Sequence, residues 1–180
     1  MFNKKTEDRR KEFHLIDGLK IFFMALIIAF FITQFVMNST LVEGSSMADT
    51  LHSGDRLLVM KLGASINQLQ RGDIIVFDAP GEDKLYIKRV IAFPNEFVQI
   101  EDGLVYINGK RLDEPYISTA YTYTSGPKEW YVQEGELFVL GDNRQRGASK
   151  DSRVFGPIKG KSLEGHAVFR YYPLDKMGAF

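Results

Sequence analysis

The sequence predicts an all-β domain, a folded antiparallel or barrel-like sheet, behind one N-terminal transmembrane helix. Two observations predict this fold class. Residues 21–36 read IFFMALIIAFFITQFV, in which only Thr33 and Gln34 are polar. After residue 43 there is no long segment with helical periodicity, and short apolar, β-branched runs alternate with turns rich in Gly, Pro and Asp.

The apolar segment is long enough to cross a bilayer, because a hydrocarbon core about 30 Å thick needs about 20 helical residues. The basic residues that precede it are Lys4, Lys5, Arg9, Arg10, Lys11 and Lys20, and no further Lys or Arg occurs before Arg56. The positive-inside rule therefore predicts a cytoplasmic basic tail over residues 1–20, a membrane anchor over 21–40 and an extracytoplasmic β-domain over 41–180. A cleaved secretory signal and a soluble core helix are the alternatives, but no small-x-small cleavage site ends the segment and it is apolar all round.

The β-domain is predicted from local alternation and turn chemistry. Its predicted strands are residues 56–60, 73–77, 85–93, 97–100, 104–107, 136–140 and 166–171. Asp102-Gly103 and Asn108-Gly109 accept positive φ angles, so the region from residue 97 predicts consecutive hairpins. Residues 117–134 are rich in Tyr, Thr, Ser and Gly and predict a lid, a linker or an ordinary long surface loop.

Composition excludes several functional classes. The chain has no Cys, which removes disulfides, thiolate nucleophiles and Cys-based zinc sites. Lys and Arg total 23, as do Asp and Glu, so the basic excess typical of nucleic-acid binding is missing. His14, His52 and His166 are isolated and lack metal-ligand spacing, so we expect neither a metal nor a cofactor.

Residues 86–91, YIKRVI, place two adjacent cations in an apolar strand. Side chains alternate along a strand, so Lys88 and Arg89 point to opposite faces, and one of them is expected against packed apolar surface. Burial disfavours the ammonium and lowers the pKa of a lysine. A neutral amine is the base that a Ser hydroxyl needs, so a Ser–Lys dyad is the nucleophilic arrangement that this chain most readily builds. The alternative is an edge strand whose Lys reaches water.

Four motifs in order resemble those of the type I signal peptidases, in the single-span form of Gram-positive bacteria. Residues 42–51, VEGSSMADTL, are similar to the family's Ser motif, and residues 86–95, YIKRVIAFPN, to its Lys motif. GDIIVF at 72–77 is similar to the strand motif between them. The fourth motif is matched by GDNR at 141–144 with SKDSRVFG at 149–156.

The resemblance implies a membrane-anchored serine endopeptidase that removes signal peptides from exported pre-proteins, without a cofactor. By position it makes Ser46 the nucleophile, Lys88 the general base and Ser149 the residue that orients the Lys88 amine. The Ser46 main-chain N–H would form part of the oxyanion hole. The charged supporting residues would be Asp142, Arg89, Asp151 and Arg153. Small substrate side chains would fit shallow apolar pockets, for which the candidate walls are Met47, Tyr86 and Ile87.

The motifs also depart from the family pattern. Asp49 replaces a Pro, and an ionised Asp49 close to Lys88 would favour the ammonium. Ala92 and Asn95 replace two Gly, and residues 145–148 are two longer than usual. A weakly active or inactive relative that binds pilin or pilus-assembly proteins is therefore an alternative, and a tethered β-domain that only binds ligands is another. The partners expected of the peptidase are signal-peptide-bearing pre-proteins and membrane lipid.

Overall fold

A computed structural model describes residues 3–32, 36–48, 50–61 and 65–180, with side chains described from Ile16 onward. The chain divides into two compact units, residues 1–37 and residues 38–180.

The first unit is a single helix, α1, over Asn3–Phe31. Its apolar side chains are exposed, for example Phe22 at 58% and Ile28 at 52%. The helix differs from the predicted anchor over 21–40, because it begins within the basic tail and residues 37–40 belong to a strand. Asn38-Ser39-Thr40 are poor helix formers, which favours the strand. Within the described part of the chain, no helix meets the length and apolarity needed to cross a membrane.

The second unit is all-β, as predicted. Its strands are β1 Met37–Leu41, β2 Arg56–Met60, β3 Ile74–Asp78, β4 Leu85–Ala92, β5 Phe97–Glu101, β6 Leu104–Ile107, β7 Lys110–Arg111, β8 Glu129–Tyr131, β9 Glu136–Leu140, β10 Ile158–Lys159, β11 Leu163–Tyr172 and β12 Gly178–Ala179. The short helix α2 covers Ser152–Phe155, and 3₁₀ turns cover Ile66–Gln68, Gly160–Ser162 and Leu174–Lys176.

The strands form two antiparallel sheets. The larger has the order β1-β2-β11-β3-β4-β9-β10, with β12 paired to β11, and the smaller has the order β7-β6-β5-β8. An apolar cluster joins the two sheets and includes Ile91 of β4, Phe138 of β9 and Val98 of β5. The tight turns that connect the smaller sheet adopt the predicted positive φ, with Asp102 at 49° and Asn108 at 50°.

Strand β4 lies in the interior of the larger sheet. Lys88 is opposite Ile75 of β3, and Arg89 is opposite Leu140 of β9. Lys88 is 4% exposed, so the alternative of an edge-strand Lys that reaches water is wrong. The pairing with β9 begins at Arg89, so among the described strands Leu85–Lys88 has a paired strand on the β3 side alone.

Residues 117–134 are more ordered than the sequence predicted. Residues 129–131 form β8, which pairs with β5. Thr122 is 1% exposed, and its N–H donates to the Gly103 carbonyl at 2.7 Å. Its hydroxyl accepts from Arg144 Nη1 at 2.9 Å. The prediction of a long surface loop holds for residues 117–128, which form no helix or strand, but it missed β8 and the long-range hydrogen bonds that hold this segment to the domain.

Candidate active site

Residues 42–51, here called the Ser46 segment, connect β1 to the turn before β2. Val42, Met47 and Leu51 are buried in one apolar cluster with residues of β2 and β3. The Val42 N–H donates to the Asp55 carbonyl at 2.9 Å, and the Leu51 N–H donates to the Met47 carbonyl at 2.8 Å. These apolar anchors and backbone bonds hold the segment at both ends, while Ser45 and Ser46 remain on the wall of a cleft.

Lys88 comes from β4, 42 positions along the chain, and meets Ser46 at this cleft. Its Nζ donates to Ser46 Oγ at 2.8 Å and to the Ile87 carbonyl at 2.8 Å. The Nζ also lies 5.0 Å from the centre of the Tyr86 ring. Lys88 is only 4% exposed, so its amine has lost most of its hydration. The contacts that replace this water are the Ser46 hydroxyl, the Ile87 carbonyl and the face of the Tyr86 ring.

Burial lowers the pKa of Lys88 to about 8, in the predicted direction. The charges of Asp151 and Asp142 oppose this change and the charge of Arg153 adds to it. An amine with this pKa is neutral in about a tenth of molecules at pH 7, far more often than an ordinary lysine. The site therefore holds a base that is usable near neutral pH beside a hydroxyl.

Arg89, which strand alternation places on the face opposite Lys88, pairs with Asp142. Its Nε and Nη2 donate to the two carboxylate oxygens at 2.8 and 2.6 Å, and Asp142 is 1% exposed. Thr50 Oγ1 also donates to Asp142 Oδ2, at 2.5 Å. The carboxylate thus ties β4 and the Ser46 segment together through fully paired, buried bonds, which are costly to break.

Asp151 and Arg153 form a second bidentate pair, with Nε–Oδ1 2.8 Å and Nη2–Oδ2 2.6 Å. Asp151 Oδ2 also accepts from the Gly141 N–H at 3.0 Å. Burial disfavours the Asp151 carboxylate, but the bonds and charge of Arg153 outweigh it and hold the pKa of Asp151 below its usual range. Two carboxylates near Lys88 are thus each neutralised by their own arginine.

Ser149 is 8% exposed and packs against Gly141, where a Cβ would overlap Ser149 Oγ and the Ser46 carbonyl oxygen. Its Oγ makes no hydrogen bond of normal geometry, so the predicted bond to the Lys88 amine is not made in this structure. The hydroxyl is still close enough to Asp151 to contribute to lowering the pKa of that carboxyl. Ser149 Oγ therefore lies near the Asp151 carboxylate and is not bonded to Lys88 in this structure.

The cleft beside Ser46 and Lys88 has a volume of about 610 Å³. It is lined by residues 40–47, by residues 84–88, and by Ala148 and Lys150. Met47, Tyr86 and Ile87, the predicted wall residues, all line it. Met47 is 2% exposed, so it contributes only a small part of the surface.

The departures from the family's motif pattern have different structural consequences. Asp49, with its predicted effect on Lys88, lies outside the described residues. Asn95 has φ 66°, a left-handed conformation that Asn tolerates almost as Gly does. The longer 145–148 stretch is taken up by a turn, in which the Ala148 N–H donates to the Gln145 carbonyl at 3.2 Å, and Ser149 remains against Gly141.

Sequence reasoning missed three residues that hold the Ser46 segment. Thr50 and Asn143 lie inside recognised motifs, so their position was the only available signal. Arg170 of β11 carried no sequence signal. Its Nη1 donates to the Thr50 carbonyl and to Asp55 Oδ2, each at 3.0 Å, and these residues are 120 and 115 positions away along the chain. Contacts at such separations leave no local pattern.

Comparison with known proteins decides the family. The sequence model described as signal peptidase, peptidase S26, matches residues 15–172. The chain belongs to the peptidase S26 signal peptidases. This confirms the resemblance drawn from the four motifs.

Relatives of this S26 chain match it over most of its length. Signal peptidase I of Bacillus licheniformis is 37% identical over 185 residues, covering 96% of this chain and 97% of the relative. Signal peptidase I T of Bacillus subtilis is 37% identical over 185 residues, covering 97% and 93%. A crystal structure of a signal peptidase I from Enterococcus faecalis is 38% identical, covers 55% of this chain and 96% of its own, and gives a TM-score of 0.46.

The family and these relatives support a peptidase that removes signal peptides. They lend no support to the alternative of a binding partner in pilus assembly.

Proposed function

We propose that this S26 signal peptidase is a membrane-anchored serine endopeptidase that removes signal peptides from exported pre-proteins, with Ser46 as the nucleophile and Lys88 as the general base. One observation carries the assignment: Lys88 Nζ and Ser46 Oγ are 2.8 Å apart. This distance is within the reach of direct proton transfer. The burial that lowers the pKa of Lys88 to about 8 supports its role as a base.

The reaction begins with neutral Lys88 accepting the Ser46 hydroxyl proton while Oγ attacks the carbonyl carbon of the scissile peptide bond. The Ser46 main-chain N–H donates to the oxygen that becomes negative in the tetrahedral intermediate. The Lys88 ammonium then protonates the leaving amine, which releases the mature protein and leaves an ester on Ser46. Water hydrolyses this ester with Lys88 again acting as base.

The surrounding residues orient Lys88 and limit the rise of its pKa that two nearby carboxylates would otherwise cause. Ser149 orients the amine when its hydroxyl turns to Lys88, a bond that is not made in this structure. The pairs Arg89–Asp142 and Arg153–Asp151 support the site, since each carboxylate is already paired with a guanidinium and competes less for the Lys88 proton.

The substrate occupies the cleft with small side chains next to the cut, against Met47, Tyr86 and Ile87. We place the proposed anchor in the apolar segment that begins at Ile21, with the N-terminus in the cytoplasm and the β-domain outside. The basic residues before Ile21 and the exposed apolar side chains after it support this topology.

The test is cleavage of a signal-peptide-bearing pre-protein by the purified full-length chain in detergent. We expect Ser46→Ala and Lys88→Ala to lower the cleavage rate by about 10³-fold or more, because each removes one member of a nucleophile–base pair that acts together. Lys159→Ala, an exposed lysine in β10, is the matched control and should keep the wild-type rate. Wild-type turnover by Ser46→Ala would refute the proposal.

A further inference from the structure

Asn143 contacts both peptide groups that flank Ser46. Its side-chain Nδ2 donates to the Ser45 carbonyl at 3.1 Å, and its main-chain N–H donates to the Ser46 carbonyl at 3.1 Å. The first carbonyl belongs to the peptide that carries the Ser46 N–H, and the second belongs to the peptide that follows Ser46. Asn143 therefore restrains the backbone on both sides of the Ser46 Cα, and the Ala48 N–H, which donates to the Ser45 carbonyl at 3.2 Å, adds a second restraint on the preceding peptide.

In a planar trans peptide, the direction of the C=O fixes the direction of the N–H. The C=O and N–H of such a peptide point in opposite directions. When Asn143 Nδ2 holds the Ser45 carbonyl, the Ser46 N–H is directed away from Asn143. Among the described residues, this N–H donates to no acceptor. It is thus fixed in direction and left free, which is the state that a donor to a developing oxyanion requires.

Asn143 is itself held firmly enough to act in this way. Its Oδ1 accepts from the Gln145 N–H at 3.3 Å, which orients the carboxamide with its nitrogen towards Ser45. The preceding residue, Asp142, is bound by Arg89 and Thr50. The following residue, Arg144, is fully buried and donates from Nε to the Gly141 carbonyl at 2.8 Å.

We propose that Asn143 is a positioning residue that sets the direction of the Ser46 main-chain N–H, and so prepares the oxyanion donor before substrate binds. This inference rests on the proposed function, because it assumes that Ser46 is the nucleophile. Asn143 touches neither substrate nor reacting atoms, and it acts through the Ser45–Ser46 peptide.

The inference predicts a loss in the chemical step alone. Asn143→Ala removes the side-chain donor and keeps the main-chain bond to Ser46. We expect kcat to fall about tenfold or more, below the 10²- to 10³-fold cost of deleting an oxyanion donor outright. KM, the inflection of the pH–rate profile and the thermal midpoint should stay close to wild type, because the cleft, Lys88 and the core are unchanged.

Two further variants make the test specific. Asn143→Asp keeps the shape but replaces the donor by an acceptor facing the Ser45 carbonyl, so its kcat should fall at least as far as that of Asn143→Ala. Gln145→Ala is the matched control, since it changes an exposed side chain in the same turn and keeps the N–H that Asn143 uses. It should behave as wild type.

The outcomes separate this inference from the proposed function. Unchanged kcat in Asn143→Asp, with an active wild type and an inactive Ser46→Ala, would overturn the role of Asn143 and leave the peptidase intact. A loss of kcat matched by a lower thermal midpoint would also overturn it, because the effect would then be one of folding. Activity retained in Ser46→Ala would instead remove the proposed function.

Discussion

At the scale of a single residue, burial gives Lys88, the proposed base, a pKa of about 8. The proposed mechanism needs the neutral form, so kcat/KM should rise with pH, bend near pH 8 and level off above it. Measuring cleavage of one pre-protein between pH 6 and pH 10 checks this. A rate that climbs without a bend to pH 10 would contradict a lowered pKa.

The same burial has a consequence for stability. The folded pKa of Lys88 is about 8 against 10.5 for an ordinary lysine, so the unfolded chain binds more protons between these values. Burying Lys88 therefore costs stability in full below pH 8, by about 3 kcal/mol, and the cost disappears as pH rises through 10.5.

Replacing Lys88 by Met should remove that cost. We expect Lys88→Met to raise the unfolding free energy by about 1 to 3 kcal/mol at pH 7, and to abolish cleavage. The gain should shrink as pH approaches 10.5, because the wild-type amine is then neutral in both states. Urea unfolding in detergent at the two pH values measures it, with Lys159→Met as the exposed control. A gain independent of pH would show that packing, rather than charge, accounts for it.

At the scale of elements, the site depends on how closely the end of β9 approaches the Ser46 segment. Gly141 follows β9 directly, and a Cβ there would overlap the Ser46 carbonyl oxygen and Ser149 Oγ. Both belong to segments whose backbones are hydrogen-bonded, so neither gives way cheaply. The contact between these elements is therefore as close as a glycine allows.

Gly141→Ala should force the two segments apart. We expect the cleavage rate to fall about 100-fold or more, since small displacements of reacting groups are costly, and stability to fall by about 1 to 3 kcal/mol. Gly126→Ala is the matched control, because its Cβ would meet its nearest neighbour at an ordinary 3.7 Å. Equal activity of the two variants would show that the approach of β9 does not position Ser46.

At the scale of the whole molecule, the chain combines an exposed apolar helix with a compact β-domain over residues 38–180. If the apolar segment that begins at Ile21 is the anchor, the full chain should stay in the membrane pellet after alkaline carbonate extraction. A variant that lacks residues 1–36 should appear in the supernatant. Protease added outside the cell should digest the β-domain and spare an N-terminal tag. Release of the full chain by carbonate would contradict the anchor.

Sequence patterns predicted the local parts of this molecule well. The bounds of β2, β6 and β9 match residue for residue, because side-chain alternation and flanking turns are properties of neighbouring residues. The short strands β7, β10 and β12 were not predicted, since two residues carry no periodicity. The order inside residues 117–134 was also missed, because it depends on hydrogen bonds to distant segments.

The candidate site likewise has a part that the sequence motifs predicted and a part that they did not. Ser46, Lys88 and the charged residues were named from the order of four motifs, which the chain alone provides. Only the tertiary structure decided that Lys88 reaches Ser46, that β4 is an interior strand and that Asn143 and Arg170 hold the Ser46 segment. The physical reason is that a pKa and a hydrogen bond depend on what surrounds a group in space, and here those surroundings come from residues 42 to 120 positions away.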